Sequence, residues 1–209
     1  MKIAIIGGTG SMGRGLSEQL VKTHEVIIGS RDLGKARAAA AAIDGVRGSD
    51  YSTAARECDS AIVAIPFAAI QSMAPLSNEL SGKLVMSIIN PMKFRNGMFQ
   101  YGLEKGSAAE TLAASLPKSR VATAFNNITS GFFGKKDTPR LDVIVAADSK
   151  ATFDEVASIV KSIPNLRPLY AGALSEAQAV ERITPLMLNL ARLNNTGSLA
   201  TNFVSQRSF

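Results

Sequence analysis

The chain has no tryptophan, one cysteine and one histidine. The lone Cys58 excludes an intramolecular disulfide framework and a cysteine-based zinc cluster. The lone His24 removes every mechanism that needs two histidine ligands, and it leaves a Ser/His triad resting on one residue near a helix end. Aromatic residues make up only 6% of the chain, so stacking on nucleic-acid bases has few candidate residues. No run approaches the ~20 apolar residues of a spanning helix. The start, Met1-Lys2-Ile3-Ala4-Ile5-Ile6-Gly7, lacks the h-region and cleavage site of a signal peptide. HExxH, GxSxG and Walker motifs are all missing. The expectation is a cytoplasmic protein with no membrane segment, no metal site and no evident acid–base pair.

What is present suits one domain spanning 1–209, with 46% hydrophobic and 19% charged residues. The net charge is +6, but the bases are scattered. Twelve Lys/Arg lie in the first 105 residues and 11 in the rest, with no run longer than Lys135-Lys136. That distribution argues against a nucleic-acid partner. A small polyanionic ligand and an ordinary solubility charge explain it equally well.

The hydrophobic pattern alternates. Strand-like runs at 2–6, 25–28, 46–48, 60–65, 84–89, 120–125, 142–146 and 166–170 are interleaved with helical spacing at 11–22, 33–43, 67–80, 153–163 and 175–193. Such alternation predicts βαβ units in a doubly wound, mostly parallel α/β sheet of Rossmann type, ending in a long helix. The stretch 90–106 breaks the rhythm. With Pro91, Asn96-Gly97 and Gly102 it reads as a long loop able to close over a ligand. Ser107-Ala108-Ala109-Glu110 then reads as a capping box, with hydroxyl and carboxylate both satisfying backbone N–H groups.

The pattern Gly8-Thr9-Gly10-Ser11-Met12-Gly13 fits G-x-G-x-x-G, follows an apolar strand and opens a helix. In that context glycines allow a tight turn and close backbone approach, and the helix start attracts a pyrophosphate. The second strand ends in Gly29-Ser30-Arg31 where NAD-binding folds usually carry an acidic residue. Ser30 can donate to a 2′-phosphate, Arg31 can grip it with a planar fork, and Lys35 adds a charge one turn later. These residues predict NADP rather than NAD. Further on, Ile65-Pro66-Phe67, Asn90-Pro91-Met92 and Ala124-Phe125-Asn126-Asn127-Ile128 follow strands, where open α/β sheets bind ligands. Phe67, Met92 and Ile128 offer apolar walls for a flat ring.

These residues resemble the F420H2:NADP oxidoreductases over nearly the whole chain. The resemblance runs through Ile6-Gly7-Gly8-Thr9-Gly10, Ile28-Gly29-Ser30-Arg31, Gly106-Ser107-Ala108-Ala109-Glu110 and Val121–Ser130. Its most specific part is the ending: Leu166-Arg167-Pro168-Leu169, Ala171-Gly172-Ala173-Leu174 and Ile183-Thr184-Pro185-Leu186-Met187-Leu188-Asn189. The resemblance implies NADP lying across Thr9, Gly10, Ser11 and Met12, with its 2′-phosphate on Ser30, Arg31 and Lys35. It implies Phe67, Met92 and Ser130 bordering the adenosine and nicotinamide. It also implies a deazaflavin, coenzyme F420, stacked near Asn126, Ile128 and Leu199. Residues 1–130 would form the dinucleotide-binding core, and 131–209 would contribute to the deazaflavin site and to a homodimer. The 94–106 loop has no matched counterpart.

Direct hydride transfer between two coenzymes needs no protein nucleophile, base or metal, which fits the scarcity of catalytic side chains. Alternatives remain open at this point: an NADPH-dependent flavin or ferric reductase, and a non-catalytic NADP(H) sensor. A β-hydroxyacid dehydrogenase would need a large helical domain for which 209 residues leave no room.

Overall fold

The computed structural model describes residues 1–135, 139–204 and 206. Among the described residues, ten strands and six α-helices follow one another along the chain. The first part runs β1 (Lys2–Ile6), α1 (Ser11–Leu20), β2 (Glu25–Ser30), α2 (Leu33–Ala41), β3 (Val46–Asp50), α3 (Tyr51–Glu57) and β4 (Ser60–Val63). A 3₁₀ helix, Phe67–Leu76, leads to β5 (Leu84–Ser87), β6 (Met92–Arg95), β7 (Met98–Tyr101), α4 (Ala108–Ser115) and β8 (Arg120–Thr123). The rest is β9 (Leu141–Ala147), α5 (Lys150–Lys161), β10 (Leu166–Gly172) and α6 (Ala177–Leu193).

Eight strands form one sheet in the order β10-β9-β8-β5-β4-β1-β2-β3. All pairs are parallel except β8 with β9. Period-two alternation explains why the central strands are apolar throughout. On one face Ala4 and Ile6 join Val63 and Val85 beneath α3, the 3₁₀ helix and α4. On the other, Ile3 and Ile5 join Ile62 and Met86 beneath α1 and α5. A strand covered on both faces has no polar side to show. The chain order reverses between β1 and β4, where connections leave in opposite directions and a crevice opens above the strand ends.

Several elements differ from the sequence expectation. The segment 90–106 is not a loop: β6 and β7 form an antiparallel hairpin closed by Asn96-Gly97. Both turn residues have positive φ, 52° and 75°, as a two-residue type I′ turn requires. Its strands are short and largely exposed, so their alternation is weak; docking on α6 supplies the stability. The Asn189 side chain bonds both the N–H and the C=O of Phe99, each at 2.8 Å. The run at 67–80 is a 3₁₀ helix ending at Leu76, with Pro75, which has no N–H to continue a helix, in its last turn. Helix α3 was not expected, and Asp50 caps it through Thr53 N–H at 2.9 Å. The capping box forms only in part. Ser107 Oγ accepts from Glu110 N–H at 3.0 Å, but the Glu110 carboxylate accepts from the Ser107 hydroxyl instead of a backbone N–H.

Candidate active site

The glycine-rich turn sets the base of the crevice. Gly7 has φ +80°, and a Cβ there would lie 2.6 Å from Ile65 Cγ2. A Cβ on Gly13 would lie 2.4 Å from Gly8 Cα, so only glycine lets α1 start this close to β1. Gly8 is buried in that contact and does not line the crevice. At Gly10 a Cβ would meet nothing within 4 Å, so the space in front of the helix is open. Gly10 is also the N-cap of α1, with no side-chain cap and no acid in the first turn. The first-turn N–H groups are therefore available to an anion.

The crevice above the β1–β4 reversal has a volume of about 640 Å³. Thr9, Gly10, Ser11, Met12 and Gly13 form one wall, with Ile65, Pro66 and Phe67 from the end of β4 beside them. Ile88, Ile89, Asn90 and Met92 follow β5; Phe125, Asn126, Ile128, Thr129 and Ser130 follow β8; Thr184 reaches in from α6. None of the lining side chains titrates. A contiguous pocket of about 350 Å³ shares Gly7, Thr9 and Pro66 with the crevice and adds Ser30, Arg31, Asp32, Lys35 and Tyr51. Here Asp32 is spent on capping α2, accepting from Lys35 N–H at 3.0 Å. Ser30 Oγ accepts from Asp32 N–H at 3.1 Å and keeps its own proton to donate. Neither the Arg31 guanidinium nor the Lys35 ammonium has an ion-pair partner among the described residues. The pocket thus presents two free cations and a hydroxyl donor, a set suited to a phosphate. A separate cavity of about 220 Å³, between Lys22, Phe133 and Leu166, shares none of these residues.

Asn126 lines the crevice, but its side chain is fully committed to the protein. Its Oδ1 accepts from Thr123 Oγ1 at 2.6 Å, and its Nδ2 donates to Ile89 O at 3.1 Å and Asn90 Oδ1 at 3.2 Å. Its carbonyl accepts from Asn90 Nδ2 at 3.0 Å and from the Thr184 hydroxyl at 2.6 Å. This cluster ties the ends of β5, β8 and α6 together. It also brackets Phe125, a buried residue at φ +61°, a region in which a bulky side chain is strained. The Asn126 bonds thus brace the floor, in which the Thr129 hydroxyl is buried without a partner.

The geometry thus assembles Thr9 to Gly13, Phe67, Met92, Ser130, Asn126 and Ile128 in one crevice and Ser30, Arg31 and Lys35 in its extension. Leu199 lies outside both, in the half-buried C-terminal segment, one residue from Ser198, whose hydroxyl faces Gly131.

Residues 2–91 match the model of the family described as NADP oxidoreductase, coenzyme F420-dependent. The chain is 34% identical over 225 residues to the F420-dependent NADP reductase of Methanothermobacter thermautotrophicus, covering 99% of this chain and 97% of the relative. It is 33% identical to that of Methanocaldococcus jannaschii, covering 97% and 99%. The chain belongs to the F420-dependent NADP reductase family. Its fold is shared with a crystallised Arthrobacter sp. FB24 protein, a candidate F420-dependent NADP reductase, at TM-score 0.86, 24% identity and 98% and 100% coverage. It is shared more loosely with a Bacillus cereus imine reductase at TM-score 0.67 and 18% identity, covering 93% of this chain and 63% of that one.

Sequence reasoning assigned Tyr51, Phe125 and Thr184 no individual role, yet each lines one of the two pockets of this member of the F420-dependent NADP reductase family. Tyr51 enters the cationic pocket because β3 ends beside β2, which pairing alone reveals. Phe125 enters by its backbone conformation. Thr184 was visible in the Thr184-Pro185 dipeptide, yet only the packing of α6 turns it to the crevice.

Proposed function

We infer that this chain transfers a hydride reversibly between reduced coenzyme F420 and NADP. The observation that carries the reading is a crevice with no titratable lining, joined to a pocket with two unpaired cations and a free hydroxyl donor. When bound, the coenzymes supply the chemistry: a hydride moves between deazaflavin C5 and nicotinamide C4. The protein's residues orient and dehydrate. The α1 start and Gly10 receive a pyrophosphate. Ser30, Arg31 and Lys35 hold a 2′-phosphate and so select NADP. Phe67, Met92 and Ile128 bound the flat rings and Ser130 closes one side, while Leu199, outside the crevice wall, would reach the deazaflavin only from the C-terminal segment. Asn126 acts here through the floor that it braces rather than by a side-chain contact. Reacting carbons must be held ~3–3.5 Å apart, which a rigid floor favours.

Reduced deazaflavin mixed with NADP or NAD, followed by absorbance, tests this. Turnover with NADP, and much weaker turnover with NAD, is expected; no turnover with either refutes it. Turnover with FMN alone would make the chain a flavin reductase. Tight NADPH binding with no oxidation by any acceptor would make it a sensor.

The same reading assigns NADP to residues 1–130 and gives 131–209 a share in the deazaflavin site, which Thr184 in the crevice wall supports. It places the enzyme in the cytoplasm, where both polyanionic coenzymes are dissolved. It also makes the protein a homodimer through α6. Leu186, Leu190 and Leu193 form a stripe at helical spacing, exposed by 57%, 44% and 62%, as a surface awaiting a second copy would be. Sedimentation as a dimer that Leu190→Asp dissociates is expected; a wild-type monomer at micromolar concentration refutes that assembly.

A further inference from the structure

A cavity of about 390 Å³ continues from the crevice beneath the hairpin. It shares Pro66, Phe67, Asn90 and Met92 with the crevice and adds Lys93. No carboxylate lines it. Strand alternation puts Lys93 and Arg95 on one face of β6, with Gln100 directly opposite Lys93. The other face carries the contacts to β7 and α6, although Phe94 stays 60% exposed. Phe94 meets the Phe99 ring at 5.0 Å and lies under the Arg192 guanidinium of α6 at 5.6 Å. Tyr101 bonds Glu181 at 2.8 Å. The hairpin is therefore a fixed platform, pinned to α6 on one side, that turns two cations outward on the other. Neither Lys93 nor Arg95 has a hydrogen bond or ion pair from its side chain among the described residues.

The anionic groups of NADP already have their donors. On the hydride-transfer reading the pyrophosphate belongs at the uncapped start of α1, and the 2′-phosphate belongs in the pocket lined by Arg31 and Lys35. Lys93 lies in the extension of the crevice beyond Phe67 and Met92, and it shares no pocket with Arg31. Its charge is thus left available to a second anion, carried by whatever stacks in the crevice. We propose that Lys93 and Arg95 form a subsite for the anionic tail of the deazaflavin coenzyme, the phosphodiester and carboxylates carried away from the ring. This rests on the hydride-transfer reading above. The subsite recognises charge on a flexible chain and leaves ring placement to the crevice floor.

The probe pair is the full coenzyme and 8-hydroxy-5-deazariboflavin, which has the same ring on a ribityl chain without the phosphate. Wild-type protein should show a lower KM for the full coenzyme than for the truncated one. In the double variant Lys93→Gln/Arg95→Gln, KM for the full coenzyme should rise roughly three- to ten-fold, the scale of two exposed ion pairs. The ratio of the two KM values should then collapse toward one. Lys118→Gln/Lys161→Gln removes two cations distant from the crevice and should leave the ratio in place. A wild-type ratio of one overturns the subsite while leaving hydride transfer intact. So does a ratio that survives the Lys93/Arg95 change, or one that falls equally in the distant variant. Wild-type protein that turns over neither deazaflavin removes the hydride-transfer reading, and the subsite with it.

Discussion

Replacing Glu181 with leucine should destabilise the protein by about 2–4 kcal/mol. Glu181 is fully buried in α6 and accepts from Ala108 N–H at 2.9 Å, Ala109 N–H at 3.0 Å and Tyr101 Oη at 2.8 Å. It thus caps α4 from another helix, where a negative charge also suits the dipole. Leucine leaves the two backbone N–H groups without partners, at ~1–3 kcal/mol each. The tyrosine hydroxyl escapes that loss, because Gly106 O lies 3.0 Å away as a second acceptor. Part of the sum returns, since leucine has no buried charge to desolvate. Glu181→Gln keeps one carbonyl acceptor and should cost about half as much. Urea unfolding measures this: with a slope of ~2 kcal/mol/M, the leucine midpoint should fall by roughly 1–2 M at constant slope. A change below ~0.5 kcal/mol would refute the capping argument. The pH dependence gives an independent check. Burial raises the Glu181 carboxyl above its ordinary range, against the pull of the Ala108, Tyr101 and Ala109 bonds. A raised acid favours the protonated fold, so its stabilisation is complete below the ordinary glutamate value. It is lost as pH rises through the raised value. Glu181→Gln should lack that slope.

Arg31→Glu should raise KM for NADP by roughly 30- to 300-fold. A unit charge pair at ~4 Å is worth ~1 kcal/mol in water, the swing is two charges against a nearly dianionic phosphate, and salt screens part of it. The turnover number at saturation should change little, and an unaltered KM for NADP would count against the pocket assignment. Asp142 gives the opposite acid behaviour from Glu181. Burial pushes its carboxyl up, but the Arg167 guanidinium and the Phe203 N–H outweigh burial and hold it below the ordinary range. Its stabilisation is therefore present above the ordinary aspartate value and is lost as pH falls through the depressed one. Hydrogen exchange should show residues 201–203 opening at acid pH, and Asp142→Asn should open them at neutral pH as well.

The local pattern of residues determined the sheet and the glycine-rich turn, and it pointed to NADP. Alternating apolar runs can be buried only in a covered parallel sheet. The glycines at 7, 8, 10 and 13 encode their turn within one short segment. Ser30 and Arg31 sit at a fixed offset from that turn, so sequence distance reports spatial distance there. Tertiary structure decided what depends on contacts between distant segments. Lys93 and Arg95 became a free cationic face only because Asn189, some 90 positions away, holds the Phe99 backbone and makes a hairpin of an apparent loop. Asn126 reads as a ligand contact in sequence, and the partners at Ile89, Asn90 and Thr123 show that its polar atoms are already used. Glu181 is an unremarked acid in an amphipathic helix until folding places it on the start of α4. A hydrogen bond between remote segments leaves no periodic trace in either one, and the three-dimensional arrangement alone records it.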